Sequence, residues 1–427
     1  MRNITTIKRA AARPSDVGVA APAGKTLATD GPRGWMMVFA AFLSLYTVFG
    51  VAYSFGGFFG PMADEFGSER GATAFFFAVT TFLYFSLGVF SGKIADRIGP
   101  RPVMLFGAVC MSLGLFATSK VNSLQLGYVT YGLGVGIGVA CGYVPVVAAV
   151  GGWFEKGRTT AIGIAVAGIG VGTLVNAPIV ERLIVRYGWR QTYVIMAVAS
   201  GALLTLAAFL AQRPPSMTTA APPQLLTVIR SSKPFWILYA SMSILSFPLF
   251  MPFVFMGDYL KVHGSSGSAG LLLGVIGLAS VVGRLGLGTL AGRIPVVRLY
   301  QGSILALSIS FLIWIAADDS YPPLLVFAVA MGVSYGGFIA LAPAVAAELF
   351  GPAGLGGILG ALYTSAGVGG LVGPPTMGFL IDRVDYTATL VIAMALAFVS
   401  FALLLPLAGT SKQDRLANTP APVLAKT

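Results

Sequence analysis

Charged residues are scarce in this chain. Of its 427 residues only 10% are Asp, Glu, Lys or Arg, while 56% are hydrophobic. An average soluble protein carries about 25% charged residues, so the deficit excludes an ordinary water-soluble domain and points to the bilayer. Cysteine and histidine are nearly absent as well. Cys110 and Cys141 both fall inside apolar runs, where they read as small buried hydrophobes rather than a disulfide, and they are silent about redox compartment. The one histidine, His263, lies in a short loop, and no ligand set for a metal surrounds it. The formal charge of +12 would suggest nucleic acid only if it clustered on a soluble face; instead the basic residues fall in short loops between apolar runs. A membrane enzyme is disfavoured, because no paired intramembrane carboxylates and no nucleophile–base set are visible. No cofactor pattern is present either.

What is abundant is helix-length apolar sequence. A spanning helix needs about 20 such residues, and twelve candidates occur at 35–60, 69–91, 102–120, 124–150, 160–183, 189–211, 235–259, 267–290, 297–317, 321–346, 355–378 and 386–408. These runs are too long for the strands of an outer-membrane barrel. The expected fold is therefore all-α and membrane-embedded, with twelve transmembrane helices in two six-helix bundles, 35–211 and 235–408. Residues 212–234, rich in proline and small polar residues, read as a linker. Residues 1–34 are polar and basic, show no signal-peptide pattern and are expected to be a disordered tail; 409–427 form a second polar tail. With the N-terminus inside, 19 of the 27 Lys and Arg residues fall in inner segments and 7 in outer loops. That bias predicts both termini in the cytoplasm and residence in the inner (plasma) membrane.

The two halves echo each other. "GKIADRIGPR" (92–101) after segment 2 has a degenerate counterpart in "GTLAGRIPVVR" (288–298) after segment 8, and "WFEKGR…AGIGVG" (153–172) in "LFGPAG…AGVGGL" (349–371). Each offset lies between 196 and 199 residues. Parallel six-helix repeats with a central site between them characterise one large class of transporters.

The one basic residue outside both sets of loops is Arg284, within "SVVGRLGLGTLAG" (280–292). It precedes Arg293, the expected inner boundary, by nine residues, which at 1.5 Å per residue sets its Cα about 13 Å deep. A charge at the centre of a membrane helix costs ~2.5–3.5 kcal/mol on insertion scales. No Asp or Glu occupies any apolar run at comparable depth; Asp258 lies near the outer end of segment 7. With no carboxylate of the protein to pair with, the planar guanidinium is suited to a carboxylate brought by the substrate, held by two parallel hydrogen bonds. Ser280, one turn away on the same face, is expected to line the same cavity. Tyr143 and Tyr335 divide evenly between the pocket and a core position with the hydroxyl on a backbone carbonyl; for Tyr53 and Tyr363 the core reading leads. Pro145 and Pro343 are placed to bend segments 4 and 10. The glycines of "GLGVGIG" (132–138) lack any βαβ context, so they read as helix-packing positions and not as a dinucleotide loop.

In "GKIADRIGPR" Gly92 permits close helix approach, Asp96 can pair with a base or cap a helix, and Arg97 and Arg101 hold the inner face. This stretch resembles the segment 2–3 loop of the major facilitator superfamily and is read as a conformational latch. "DGPRGWMMVFAAF" (30–42) and "YGLGVGIGVACGYVPVVAAVGGWFEKGRTTAIGIAVAGIGVG" (131–172) resemble the signature segments of monocarboxylate transporters, with the bacterial oxalate/formate antiporters as relatives. The resemblance implies a bacterial member that moves a small monocarboxylate anion, lactate- or pyruvate-like, together with a proton, and it matches Arg284 to a substrate-binding arginine of segment 8. Two positions depart from animal members: Ser280 stands where they have an aspartate, and Gly57 where they have a lysine, so their proposed proton relay is missing. Asp258 is the acidic candidate for the proton, with the substrate itself or water beside Arg284 as the alternatives. Carriers of the oxalate type are expected to have a second cation in segment 11, and "GALYTSAGVGG" (360–370) has none. Anion exchange without a proton is the alternative mechanism, and a carboxylate-binding membrane sensor a third reading. The lipid bilayer is the only other partner expected, with no obligatory protein partner and no nucleic acid.

Overall fold

The computed structural model describes residues 31–154, 157–214, 232–291, 293–318, 320–351 and 355–408. Most of the N-terminal tail, the linker and the C-terminal tail expected from the sequence lie outside these residues. Among the described residues every regular element is helical. That is the expected outcome for backbone in hydrocarbon, because a helix satisfies its own N–H and C=O groups.

Thirteen α-helices follow in order: α1 Pro32–Tyr53, α2 Phe55–Phe66, α3 Arg70–Ile98, α4 Pro100–Thr118, α5 Leu124–Trp153, α6 Arg158–Leu210, α7 Lys233–Leu249, α8 Met251–Val262, α9 Ala269–Leu290, α10 Val296–Ala317, α11 Tyr321–Phe350, α12 Leu355–Arg383 and α13 Tyr386–Leu404. Their starts carry recognisable signals. Proline opens α1, α4, α7, α8 and α11 at the first or second position, where its missing N–H costs nothing. Ser123, Ser268 and Asp385 cap α5, α9 and α13 by accepting a backbone N–H.

Among the described residues, ten stretches are long and apolar enough to cross a membrane. One of them, Thr160–Leu210, is 51 residues long and makes two crossings, because Gly188 sits inside it with φ 77° and turns the chain back. The 29-residue α12 packs along α3 and supplies the twelfth crossing. The first crossing of each half is interrupted. α1 gives way to α2 at Ser54, and α7 gives way to α8 at Phe250, 196 positions later. α5 and α11 are each 30 residues long, with an internal proline at Pro145 and Pro343. These matched irregularities fall at the offset seen in the sequence echoes.

Two helix pairs join the halves, α3 against α12 and α6 against α9, and the short helices α2 and α8 also meet. In the α6–α9 pair the backbones touch: a Cβ on Gly170 would lie 2.4 Å from the carbonyl oxygen of Gly277, and one on Gly277 would lie 2.5 Å from that of Gly170. Small residues permit this approach where lipid offers no hydrophobic drive for association. On the face where α3 and α9 begin, charge reinforces closure. Arg70 bonds Asp258 (2.5 Å) and Asp382 (2.8 Å), and Lys261 bonds Asp64 (2.7 Å), each pair crossing between the halves. Glu181 of α6 accepts from the hydroxyl of Ser268 and from the N–H of Gly270 (3.2 Å). Toward the opposite face α6 and α9 part. On the sides they turned to each other, an added Cβ at Gly163 or Gly288 meets no atom within 4 Å.

Candidate functional site

Arg284 sits where that parting begins. It is 5% exposed and is the only charged side chain buried to this degree among the described residues. α9 presents it toward α6, and its Nη1 donates to the carbonyl oxygen of Val166 at 2.6 Å, across the interface between halves. Its Nε and Nη2 donors are buried and have no partner. Those two N–H groups form the side of the guanidinium that grips a carboxylate in parallel. Their desolvation is costly while they stay unmatched. The face of the guanidinium lies 5.8 Å from the centre of the Tyr335 ring.

Around Tyr335 the four tyrosines named from sequence come together. Tyr53, Tyr143, Tyr335 and Tyr363 line one small apolar cavity of about 30 Å³ between the halves. It has space for a water molecule or two, so the present closed form cannot admit an organic anion without the helices moving. The hydroxyls of Tyr53 and Tyr335 share a buried 2.7 Å hydrogen bond that spans from α1 to α11. Tyr143 meets Phe49 edge-on at 5.3 Å, and Tyr363 lies 6.0 Å from Phe85. Arg284 itself adjoins the cavity through Tyr335 rather than lining it. Ser280 is buried but does not line it; its hydroxyl donates to Gly277 of its own helix at 2.7 Å.

Three features were invisible in the sequence. Val166 holds the arginine through a backbone carbonyl, which has no residue-type signature. Phe253 of α8 stacks on Tyr53 with ring centres 4.4 Å apart, closing the cavity on the side of the ion pairs. The Tyr84 hydroxyl and Thr81 Oγ1 on α3 are buried without partners, one turn apart; nothing in the spacing of two such common residues marks them.

Asp258 lies at the closed face, away from the cavity. Its carboxylate takes Arg70 from the other half and the Tyr386 hydroxyl from its own. The latch residues stay within the N-terminal bundle. A Cβ on Gly92 would touch Val144 of α5 at 3.2 Å. Arg101 donates from Nε to the carbonyl of Ala208 (3.2 Å) and from Nη2 to that of Phe209 (2.6 Å), finishing the C-terminus of α6. Asp96 and Arg97 are exposed, and Arg213 donates to the Asp96 backbone carbonyl at 3.3 Å.

Among the described residues the site is thus a buried cation between two six-helix halves, surrounded by hydroxyls and rings and by no carboxylate. The profile of the Major Facilitator Superfamily matches residues 35–319 and 263–425. Monocarboxylate transporter 3 of Rattus norvegicus is 30% identical over 371 residues, covering 83% of this chain and 75% of the relative. The chain belongs to the monocarboxylate transporter family of that superfamily. Monocarboxylate transporter 13 of Rattus norvegicus is similar along nearly its whole length, 29% identical over 391 residues that cover 90% of this chain and 91% of the relative. Among solved structures, a bacterial homologue of the human lysosomal transporter Spinster, crystallised inward-facing and unoccupied, superposes with a TM-score of 0.69 over 92% of this chain and 99% of its own, at 14% identity, and shares the fold. The protein is a multi-pass membrane transporter and not an enzyme. Among the described residues no group of His, Cys, Asp and Glu could hold a metal ion.

Proposed function

We propose that this monocarboxylate transporter family member carries a small monocarboxylate, lactate- or pyruvate-like, across the plasma membrane together with a proton, by alternating access. Its two termini then face the cytoplasm. The observation that carries the reading is Arg284: buried, held at one nitrogen by Val166, and left with the two donors that match one carboxylate. A single buried cation suits a monoanion. Binding would neutralise the guanidinium and so lower the cost of moving the site across the low-dielectric centre. The tyrosine hydroxyls supply neutral donors for a 2-hydroxy or 2-keto oxygen. The relatives, which are named monocarboxylate transporters, support the same substrate class. Asp258 is the candidate proton carrier, because its carboxylate joins the halves through Arg70. A proton there would weaken the closed face and favour opening outward. The latch formed by Gly92, Asp96, Arg97 and Arg101 would engage only when the opposite face closes.

Radiolabelled lactate and pyruvate uptake into proteoliposomes, with and without an imposed pH gradient, tests this reading. Gradient-driven accumulation is expected. Trans-stimulation with no response to the gradient would make the protein an exchanger, and retained binding without flux would make it a sensor; either result overturns proton symport.

A further inference from the structure

A second cavity lies apart from the central one. A pocket of about 460 Å³ opens on the face where α1 begins, lined among others by Arg33, Pro100, Arg101, Trp153 and Arg213. Three arginines contribute to its wall and, among the described residues, no acidic side chain does. None of the three enters any of the four ion pairs among the described residues. Arg101 and Arg213 are held in place by backbone carbonyls at the ends of α6 and α3, which fixes their guanidinium groups without an ion pair among the described residues. The N-terminus of the 19-residue α4, with no side-chain cap at Gly99, adds its positive dipole end to the same wall.

A second, separate feature adjoins the pocket. Phe106, Val109 and Leu113 of α4 are 58%, 56% and 62% exposed at spacings of three and four, which makes one apolar stripe running from the pocket into the membrane-spanning part. Phe209 of α6, 60% exposed, stands beside the pocket with the Arg101 guanidinium over its ring at 5.9 Å. Fixed cations at the membrane edge, continuous with a greasy stripe, match an amphiphile with an anionic head and acyl chains.

We propose that this pocket binds the phosphate headgroup of an anionic glycerophospholipid, with the acyl chains lying along α4 and α6. The site is separate from Arg284 and stands or falls independently of the transported substrate. A phosphodiester oxygen pair suits a guanidinium fork as a carboxylate does. Zwitterionic lipids bring a compensating cation that three arginines repel, so the site discriminates by net charge of the head.

The test is native mass spectrometry of the full-length protein titrated with dioctanoyl phosphatidylglycerol, dioctanoyl phosphatidylcholine or inorganic phosphate. Phosphatidylglycerol is expected to bind at least about tenfold more tightly than phosphatidylcholine, the premium expected of several basic side chains at a membrane surface. Arg33→Gln combined with Arg213→Gln should weaken it about thirtyfold, roughly fivefold per arginine. Arg33→Lys with Arg213→Lys keeps the charge and guards against misfolding; it should stay within about threefold of wild type by the same accounting. Arg182→Gln with Arg186→Gln, outside the pocket, should leave binding unchanged. Equal binding of the two lipids, an unaffected Gln variant, or the same loss from the control pair would each overturn the proposal. Inorganic phosphate that binds as tightly as the lipid, or displaces it, would assign the pocket to a free anion instead and refute the lipid.

Discussion

Replacing Arg284 separates a functional charge from a structural one, because the two make opposite predictions for stability. In Arg284→Met the buried guanidinium is gone. The protein gives that group one acceptor, the Val166 carbonyl, and leaves Nε and Nη2 unmatched. Insertion scales charge ~2.5–3.5 kcal/mol for arginine at the centre of a membrane helix, and the lost charge-assisted bond to Val166 returns about 1.5–3 kcal/mol of that. The substrate-free protein should therefore keep its stability or gain up to about 2 kcal/mol, while transport disappears. Arg284→Lys keeps the charge but cannot make two parallel bonds. Loss of one charge-assisted hydrogen bond, about 1.5–3 kcal/mol, corresponds to roughly a 10- to 150-fold rise in KM. Thermal unfolding in detergent measures the first effect, and uptake of labelled lactate into proteoliposomes measures the second. A Met variant that unfolds more easily than the parent would show that the arginine is a structural strut. A Lys variant with wild-type KM would show that the fork is not used.

Asp258→Asn should remove one of the two ion pairs of Arg70, leaving Asp382, and favour the outward-open form about fivefold, since a partly exposed pair contributes about 1 kcal/mol. A cysteine placed at Phe253, with Cys110 and Cys141 changed to serine, should then react faster with a membrane-impermeant maleimide; an unchanged rate would dismiss the gate. Gly170→Val drives a side chain into the Gly277 carbonyl, which an added Cβ would already meet at 2.4 Å. It should cut uptake at least about tenfold by holding α6 and α9 apart, whereas Gly163→Ala, with open space around it, should leave uptake near normal. Tyr53→Phe keeps the stack on Phe253 but orphans the Tyr335 hydroxyl, costing about 1 kcal/mol, and adding Tyr335→Phe should restore most of that. Thermal unfolding of the four proteins in that cycle checks the coupling, and additive losses would refute it.

The fold class was legible because spanning length and apolar composition leave few alternatives. That Arg284 is buried agrees with its place nine residues before Arg293. The interruption at Ser54 was not legible, because Ser54 keeps a helical backbone and no proline adjoins it. The one at Phe250 had a signal that the reading of one long segment passed over: Pro252 cannot donate back to Pro248. The contacts that close one face were equally hidden, since Arg70 finds Asp258 and Asp382 across 188 and 312 positions, and spacing cannot pair residues so far apart. Ser280 shows the limit of a face argument. It shares a helix side with Arg284, yet its hydroxyl folds back onto Gly277 and leaves the cavity to the tyrosines. Val166 shows another: a carbonyl partner is offered by every residue in the chain.

The two broken first helices have a mechanical consequence. A Cβ on Gly56 of α2 would lie 2.6 Å from the carbonyl oxygen of Phe253 in α8, and Phe59 meets Phe255 edge-on at 5.3 Å. The roof above the tyrosine cavity is thus a pair of stubby flaps, one from each half, each hinged on its own long pillar. Such flaps can swing while both pillars stand still, so the roof can lift without the floor giving way.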